Sequence, residues 1–387
     1  MQNFVFHNPT KILFGKNSVP SIGAETVLFG KRVLLVYGTG SIKKHGLYDQ
    51  VVQSLLAADA TITEHGGVQS NPLLSHVHEG ITLAKENNCE VVCAVGGGSV
   101  IDEAKAICAG TPVQHDVWKF FTGKKSIKKT LPLTTVLTLA AAGSEMNSGM
   151  VITNDATSQK FGFGNKQLFP KTSILDPSVT CSVPADYTAY GAIDAVSHVL
   201  ECYFTTTDPY TPVQDRLMEG LVINAMESCN RVLAKPDDYH ARADLMWTTT
   251  LALNGLTSSG LGKVGFPMHM IEHSLSAFYN VPHGAGLSAV IPGWMRFNAR
   301  LQPERFAQFA ERVFNIHTGN VEEKAKQGID ALTGWFSEVK SPTSITALDI
   351  PGTDIPRIAA NAMTLAKVWR MREYTEEKIE AILNDCV

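Results

Sequence analysis

Short β-branched runs that stop at glycine, repeated through the first half of the chain and then abandoned, constrain the fold more than any other feature. Val33-Leu34-Leu35-Val36-Tyr37 and Glu90-Val91-Val92-Cys93-Ala94-Val95 each end in glycine, and Leu133-Thr134-Thr135-Val136-Leu137-Thr138 runs on to alanines and then glycine. Helix-like segments separate them, so from about residue 30 to 180 the chain reads as βαβ units building a mostly parallel, Rossmann-like sheet. Ligands of such sheets gather at the carboxyl ends of the strands, where these glycines stand. Residues 4–20 read as a β-hairpin edge, Phe4 to Phe6 against Lys11 to Phe14, with Asn8-Pro9 as the turn. Asn71-Pro72 opens a helix through about Asn87.

The character changes after Asp176-Pro177 and Pro184. Strand-like runs become rare, and segments of helical period follow at 185–205, 211–232, 240–257, 267–278, 303–315 and 322–339, punctuated by Pro236, Gly260, Pro282 and Pro342. A length of 387 residues suits two domains. The division predicted is an α/β domain over 1–184 and an all-α domain over 185–387, with the active site in the cleft between them.

Thirty-three basic against thirty-seven acidic residues give a net charge of −4, without the basic excess that a nucleic-acid partner needs. The seven cysteines (Cys89, Cys93, Cys108, Cys181, Cys202, Cys229 and Cys386) include no Cys-x-x-Cys spacing, which argues against a disulfide framework and a thiolate zinc site. A reducing compartment fits. The start, Met1 to Pro9, has no basic head or apolar stretch, and no run approaches the roughly 18 apolar residues that cross a bilayer. The expectation is a cytoplasmic protein with no membrane partner.

Gly96-Gly97-Gly98-Ser99 follows a strand and precedes the helical pattern Val100-Ile101-Asp102-Glu103-Ala104-Lys105. Backbone N–H groups at such a turn bind a pyrophosphate, because they offer unpaired donors and a positive dipole end without side-chain obstruction. The alternative is a tight turn that binds nothing. Tyr37-Gly38-Thr39-Gly40-Ser41 carries no carboxylate to hold a ribose 2′-hydroxyl, and Lys43-Lys44 follow. That suits a 2′-phosphate, or else an ordinary turn with solvated lysines.

Asp194 and His198 are four apart, as are His269 and His273, and His283 follows ten later. On apolar helices poor in other charge these residues make an N/O site for a divalent metal such as Zn2+ or Fe2+; the alternative is hydrogen-bonded core histidines. His76 and His78 fall on different helical faces, and His7, His45, His65, His115, His240 and His317 sit among turn or surface residues, so all are read as solvated.

Taken together, Gly96–Lys105, Asp194–His198 and His269–Gly284 resemble the iron-containing (group III) alcohol dehydrogenases. The resemblance runs from Lys11-Ile-Leu-Phe-Gly15 through Asp176-Pro177 and Pro184 to Phe278-Tyr-Asn-Val-Pro-His-Gly284. The Tyr37–Lys44 loop is similar to that of the NADPH-dependent butanol dehydrogenases and broad-range aldehyde reductases. The resemblance implies that Asp194, His198, His269 and His283 ligate one catalytic Fe2+ or Zn2+, with His273 as a proton relay. It implies NADP(H) in preference to NAD(H), with Gly97, Gly98 and Ser99 on the pyrophosphate and Gly38, Gly40 and Ser41 around the adenosine phosphate. Thr138, Ser144, Asn147 and Lys160 match positions that line the nicotinamide and ribose, and a homodimer is implied.

Three positions depart from the family pattern. Thr39 replaces a glycine, Ala142 replaces a threonine, and Glu272 stands where a small residue is common; it is read as pointing outward into solvent, the alternative being an inward carboxylate that adds negative charge beside the metal. The activity implied is reduction of short aliphatic aldehydes and oxidation of the alcohols, butanal and butanol among them. A dehydroquinate-synthase-like enzyme on sugar phosphates would need a cluster of Arg and Lys near the metal motifs, where Lys263 alone lies close to His269. A non-catalytic nucleotide or metal sensor would not need the full ligand set.

Overall fold

A computed structural model describes residues 1–208 and 210–387. Two compact units emerge: one comprises His7–Val183 and Asp237–Thr250, the other Met1–Phe6, Pro184–Pro236 and Leu251–Val387. The chain therefore changes unit at Pro184 and also lends 237–250 back to the first. Thr250 Oγ1 donates to Glu145 Oε1 at 2.5 Å, and Trp247 meets Phe14 edge-on at 5.9 Å between ring centroids. These contacts fasten the returning helix, Tyr239–Ala252, and nothing in its own periodicity signals them.

The first unit is built on eight strands: β1 (Lys11–Phe14), β2 (Arg32–Gly38), β3 (Thr61–Val68), β4 (Val91–Gly96), β5 (Leu133–Leu137), β6 (Gly149–Asn154), β7 (Gln159–Gly164) and β8 (Thr172–Leu175). Six form one sheet in the order β1-β8-β5-β4-β2-β3, every pairing parallel. Residues Val33–Val36 and Val91–Val95 are fully buried, the near-continuous apolar signature of strands covered on both faces. From β2 the chain moves outward to β3 and then returns to β4 on the other side, so the strand order reverses between β2 and β4. Crevices at such a reversal are where open parallel sheets bind ligands, and both glycine runs end these two strands.

The expected amino-terminal hairpin does not form. β1 pairs in parallel with β8, while residues 1–6 belong to the other unit, where Gln2 N donates to Gly260 O at 2.9 Å. Asn8 accounts for the difference: its side chain accepts from Thr10 N at 3.2 Å and donates to Met146 O at 2.8 Å. That local turn anchors the chain to β8's side of the sheet and does not fold it back on itself. The hairpin that does exist, β6 with β7, is antiparallel and lies outside the main sheet.

The second unit is helical, with no strand among its described residues. Its central helix, Ala185–Thr205, coincides with the predicted segment and is buried almost throughout from Gly191 to Phe204. Pro267–Tyr279 and His283–Ala299 flank the Asn280–Pro282 connection; Asn280 adopts φ 51° and its N–H donates to Ser276 O, closing the first of them. Among the described residues no helix is long and apolar enough to cross a membrane, and all seven cysteines are free thiols.

Candidate functional site

Apolar residues bury the Ala185–Thr205 helix, and Asp194 and His198 go into the interior with it on one face; Asp194 is 4% exposed. Pro267 starts the next helix at its first turn, bringing His269, Glu272 and His273 inward. His283 opens the third helix. That helix comes close because Gly284 has no side chain: a Cβ there would lie 2.2 Å from Tyr190 O.

Three separate segments thus converge on one carboxylate oxygen. From Asp194 Oδ1 the distance is 3.6 Å to His198 Nδ1, 3.7 Å to His269 Nε2 and 3.6 Å to His283 Nε2. These spans are too long for hydrogen bonds. They match the roughly 3.3–3.6 Å between neighbouring ligands of a tetrahedral ion bonded at about 2.0–2.2 Å. Asp194 Oδ1, His198 Nδ1 and His269 Nε2 are buried with no hydrogen-bond partner, an arrangement costing about 1–3 kcal/mol per atom unless a cation fills the focus. Burial alone would raise the Asp194 carboxyl, but His198, His269 and His283 pull it well below the usual carboxylate range. Burial drives His198 down to about 3, leaving its ring neutral with a lone pair to offer. The donor set fits one divalent metal.

The rings are held from behind by carboxylates. Glu201 Oε1 accepts from His269 Nδ1 at 3.1 Å and from His269 N at 2.9 Å. Glu272 is fully buried, with Oε2 on His283 Nδ1 and Oε1 accepting from Ser276 Oγ. The outward orientation read from sequence is therefore wrong: as the one acid on an apolar helix, three residues from His269, it shares the inward face, and the His283 ring gives it a partner there. Carboxylates behind metal-binding imidazoles fix the tautomer and raise ligand basicity. His273 is buried too, its ring 5.6 Å from that of His283 and 6.2 Å from that of His269.

At the sheet, Gly97 precedes the Gly98–Gly110 helix, whose first N–H groups have no intrahelical acceptor. The turn has no spare room: a Cβ would come within 3.1 Å of Leu139 Cβ at Gly97 and 3.0 Å of Ala142 Cβ at Gly98. Gly40, at φ 124°, turns the chain after β2, with Thr39 and Ser41 exposed. Thr138 follows β5 beside the Gly96–Gly98 turn, its N–H donating to Gly96 O at 3.1 Å. Ser144 and Asn147 are both held by one buried lysine. Lys105 Nζ donates to Ser144 Oγ (2.8 Å), Asn147 Oδ1 (3.0 Å) and Gly149 O (2.7 Å), and burial pushes this lysine down to about 8. Lys160 Nζ donates to Asn71 Oδ1 at 2.8 Å.

Lys43 is exposed, as a solvated lysine would be, yet its ammonium is engaged. It donates to Tyr37 Oη at 3.0 Å, stands over the Tyr37 and Tyr48 rings, and lies 3.9 Å from Glu64, whose two oxygens accept the Tyr37 and Tyr48 hydroxyls at 2.7 Å.

Both halves of the sequence match known profiles: residues 9–177 match the iron-containing alcohol dehydrogenases and residues 188–387 the carboxyl-terminal region of the Fe-containing alcohol dehydrogenase family. The chain belongs to the iron-containing alcohol dehydrogenase family. It is 43% identical over 385 residues to a probable NADH-dependent butanol dehydrogenase of Bacillus subtilis, covering 99% of each chain. It is 36% identical over 361 residues to an NADPH-dependent aldehyde reductase of Escherichia coli, covering 92% of each. The crystal structure of an NADH-dependent butanol dehydrogenase from Thermotoga maritima superposes with a TM-score of 0.96 at 44% identity, over 100% of this chain and 99% of that one. Membership of the iron-containing alcohol dehydrogenases makes the protein an oxidoreductase and sets aside the sugar-phosphate and sensor readings.

Sequence reasoning missed Glu201, although it lies three residues after His198 on the same helical face. It also missed Lys105, for which no local signal exists. His65 and His76, read as solvated, are instead drawn together on Glu103.

Proposed function

We propose that this protein reduces short aliphatic aldehydes and oxidises the corresponding alcohols, butanal and butanol among them. It prefers NADP(H) to NAD(H) and holds one divalent metal, Fe2+ or Zn2+, on Asp194, His198, His269 and His283. The observation that carries this reading is the focus of three imidazoles on one unpartnered carboxylate oxygen. A bound cation supplies Lewis-acid stabilisation of charge on the substrate oxygen while hydride passes between nicotinamide C4 and the carbonyl carbon. Glu201 and Glu272 keep the His269 and His283 rings oriented. Phe266, whose ring centroid is 5.6 Å from that of His269, gives the neighbourhood an apolar wall suited to an aliphatic chain. Gly97, Gly98 and Ser99 hold the pyrophosphate, Gly38, Gly40 and Ser41 surround the adenosine phosphate, and Thr138, Ser144, Asn147 and Lys160 line the nicotinamide and ribose, Ser144 and Asn147 fixed by Lys105. Seven free thiols support a reducing, cytoplasmic setting, the net charge of −4 supports the absence of a nucleic-acid partner, and the homodimer is carried over from the family resemblance.

The test is the initial rate of NADPH and NADH oxidation with butanal, in metal-stripped protein and after adding Fe2+ or Zn2+. Activity restored by metal and faster with NADPH is expected; oxidation of neither cofactor with metal bound would overturn the reading. The cofactor preference rests on Lys43, because both Glu64 oxygens are occupied by tyrosine hydroxyls and the exposed Lys43 ammonium, donating to Tyr37 Oη, keeps protons to spare. Lys43→Ala should lower kcat/KM for NADPH about 10-fold, the worth of one charge-assisted hydrogen bond, and leave NADH within about 2-fold. Equal losses with both cofactors would assign Lys43 a purely structural part.

His273 passes the proton between substrate oxygen and solvent. His273→Ala should cut kcat about 10²-fold with metal content unchanged; loss of the metal would make it a ligand.

A further inference from the structure

A second cluster lies in the α/β unit, on residues the reaction does not use. β3 supplies His65, the Leu74–Glu86 helix supplies His76, and the Gly98–Gly110 helix supplies Glu103. His65 Nε2 lies 3.1 Å and His76 Nδ1 2.6 Å from the same oxygen, Glu103 Oε1, and the two rings stack at 4.1 Å with 23° between planes. Gly80 makes room for this, since a Cβ there would stand 2.9 Å from His65 Nε2.

Glu103 is fully buried, and its other oxygen, Oε2, has no partner. Its neighbours in sequence give no help: Asp102 bonds Ser144 and Val151 N, and Lys105 bonds Ser144, Asn147 and Gly149. No lysine or arginine among the described residues bonds Glu103, so two imidazoles alone face a dry carboxylate. Both imidazoles converge on the single oxygen Oε1, so Oε2 is left without a donor in a dry setting, a desolvation cost that these two contacts do not relieve. One divalent cation satisfies all three groups and engages the idle oxygen.

We propose that His65, His76 and Glu103 form a second divalent-cation site, selective for a borderline transition-metal ion of the Zn2+, Co2+ or Ni2+ class. Two imidazoles and a carboxylate are the ligand types such ions prefer, and a water completes the coordination. The cation replaces the ring protons directed at Glu103, and the nitrogens move apart by about half an ångström to reach metal-ligand spacing. Entry is from solvent at His76, whose side chain is 22% exposed, past Gly67, which presents no side chain to cover His76 Nε2. Once bound, the ion ties β3 and the Leu74–Glu86 helix to the helix that begins at Gly98, and so braces the glycine turn. The site is independent of the reading given for Asp194.

Full-length, metal-stripped protein titrated with Co2+, followed by ligand-field absorption and by bound-metal stoichiometry, tests this. Wild type should take two equivalents, and His76→Asn and Glu103→Gln one each, with butanal reduction after the first equivalent within about 2-fold of wild type. His76→Asn is the safer variant for folding because its side chain reaches solvent, and circular dichroism melting confirms that each variant is folded. A single equivalent in wild type that is lost in Asp194→Asn overturns the second site, as do two equivalents retained by both His76→Asn and Glu103→Gln. A single equivalent that survives Asp194→Asn and is lost in Glu103→Gln sustains it while removing the metal from the proposed catalytic centre.

Discussion

Asp194→Asn should abolish stoichiometric metal binding and lower kcat for butanal reduction by about 10³-fold or more. The substitution keeps size and shape but removes the negative charge at the point from which His198, His269 and His283 are each 3.6–3.7 Å away. Three imidazoles without an anion give a weaker, more positive site. Losing Lewis-acid stabilisation of the developing oxyanion costs several kcal/mol, and about 4 kcal/mol corresponds to 10³ in rate. The apo variant should melt below apo wild type at neutral pH, because, despite burial, the three imidazoles hold the Asp194 carboxyl below the usual carboxylate range and so favour its ionised form in the folded protein, a stabilisation lost with the charge. Metal analysis, turnover and thermal melting on the same preparations check all three statements. Full metal occupancy with near-normal turnover would remove Asp194 from the centre.

The legible parts of this protein are those written in local pattern. The Ala185–Thr205 helix and the start of the helix at Pro267 coincide with their predicted segments because apolar period and proline position are local properties. The central strands were likewise readable from buried, β-branched runs, and the glycine turns from their place at strand ends. His283–Ala299 was not, since it begins immediately after Pro282 and contains Pro292, which local rules treat as a break. Ile355–Trp369 and Glu376–Asn384 lie beyond the predicted helical segments as well.

What escaped at the site is long-range by nature. Asp194 and His198 mark a face, but only the fold says that His269 and His283 arrive at the same oxygen. Glu272 turns inward because a histidine eleven residues away offers it a partner. Lys105 is satisfied by Ser144, Asn147 and Gly149 about forty residues on, and His65 and His76 lose their solvent to Glu103. In each case a polar side chain that would be solvated on its own pattern becomes buried because a distant partner meets it, the condition on which burial of polar groups depends.

Gly284→Ala is the second large effect, and it acts without touching a ligand. A Cβ at this position would stand 2.2 Å from Tyr190 O and 2.7 Å from Tyr190 C and Cα, all backbone atoms of the helix that carries Asp194. No side chain can swing away, so the two helices must part by about 1 Å to restore contact distance. Overpacking of this kind costs about 2–3 kcal/mol, read as a fall of several degrees in the melting temperature. His283 is the adjacent residue and moves with its helix, so metal affinity should drop about 10²-fold and kcat with it, since a displacement near 1 Å is enough to spoil such a geometry. Gly293→Ala separates the two consequences. Its Cβ would meet Cys386 Sγ at 2.3 Å and Asp385 backbone at 2.9 Å, far along the same helix from His283. That variant should lose comparable stability and keep wild-type metal affinity. If Gly284→Ala binds metal as tightly as Gly293→Ala does, the close approach at Tyr190 serves the packing of the helices and not the placement of His283.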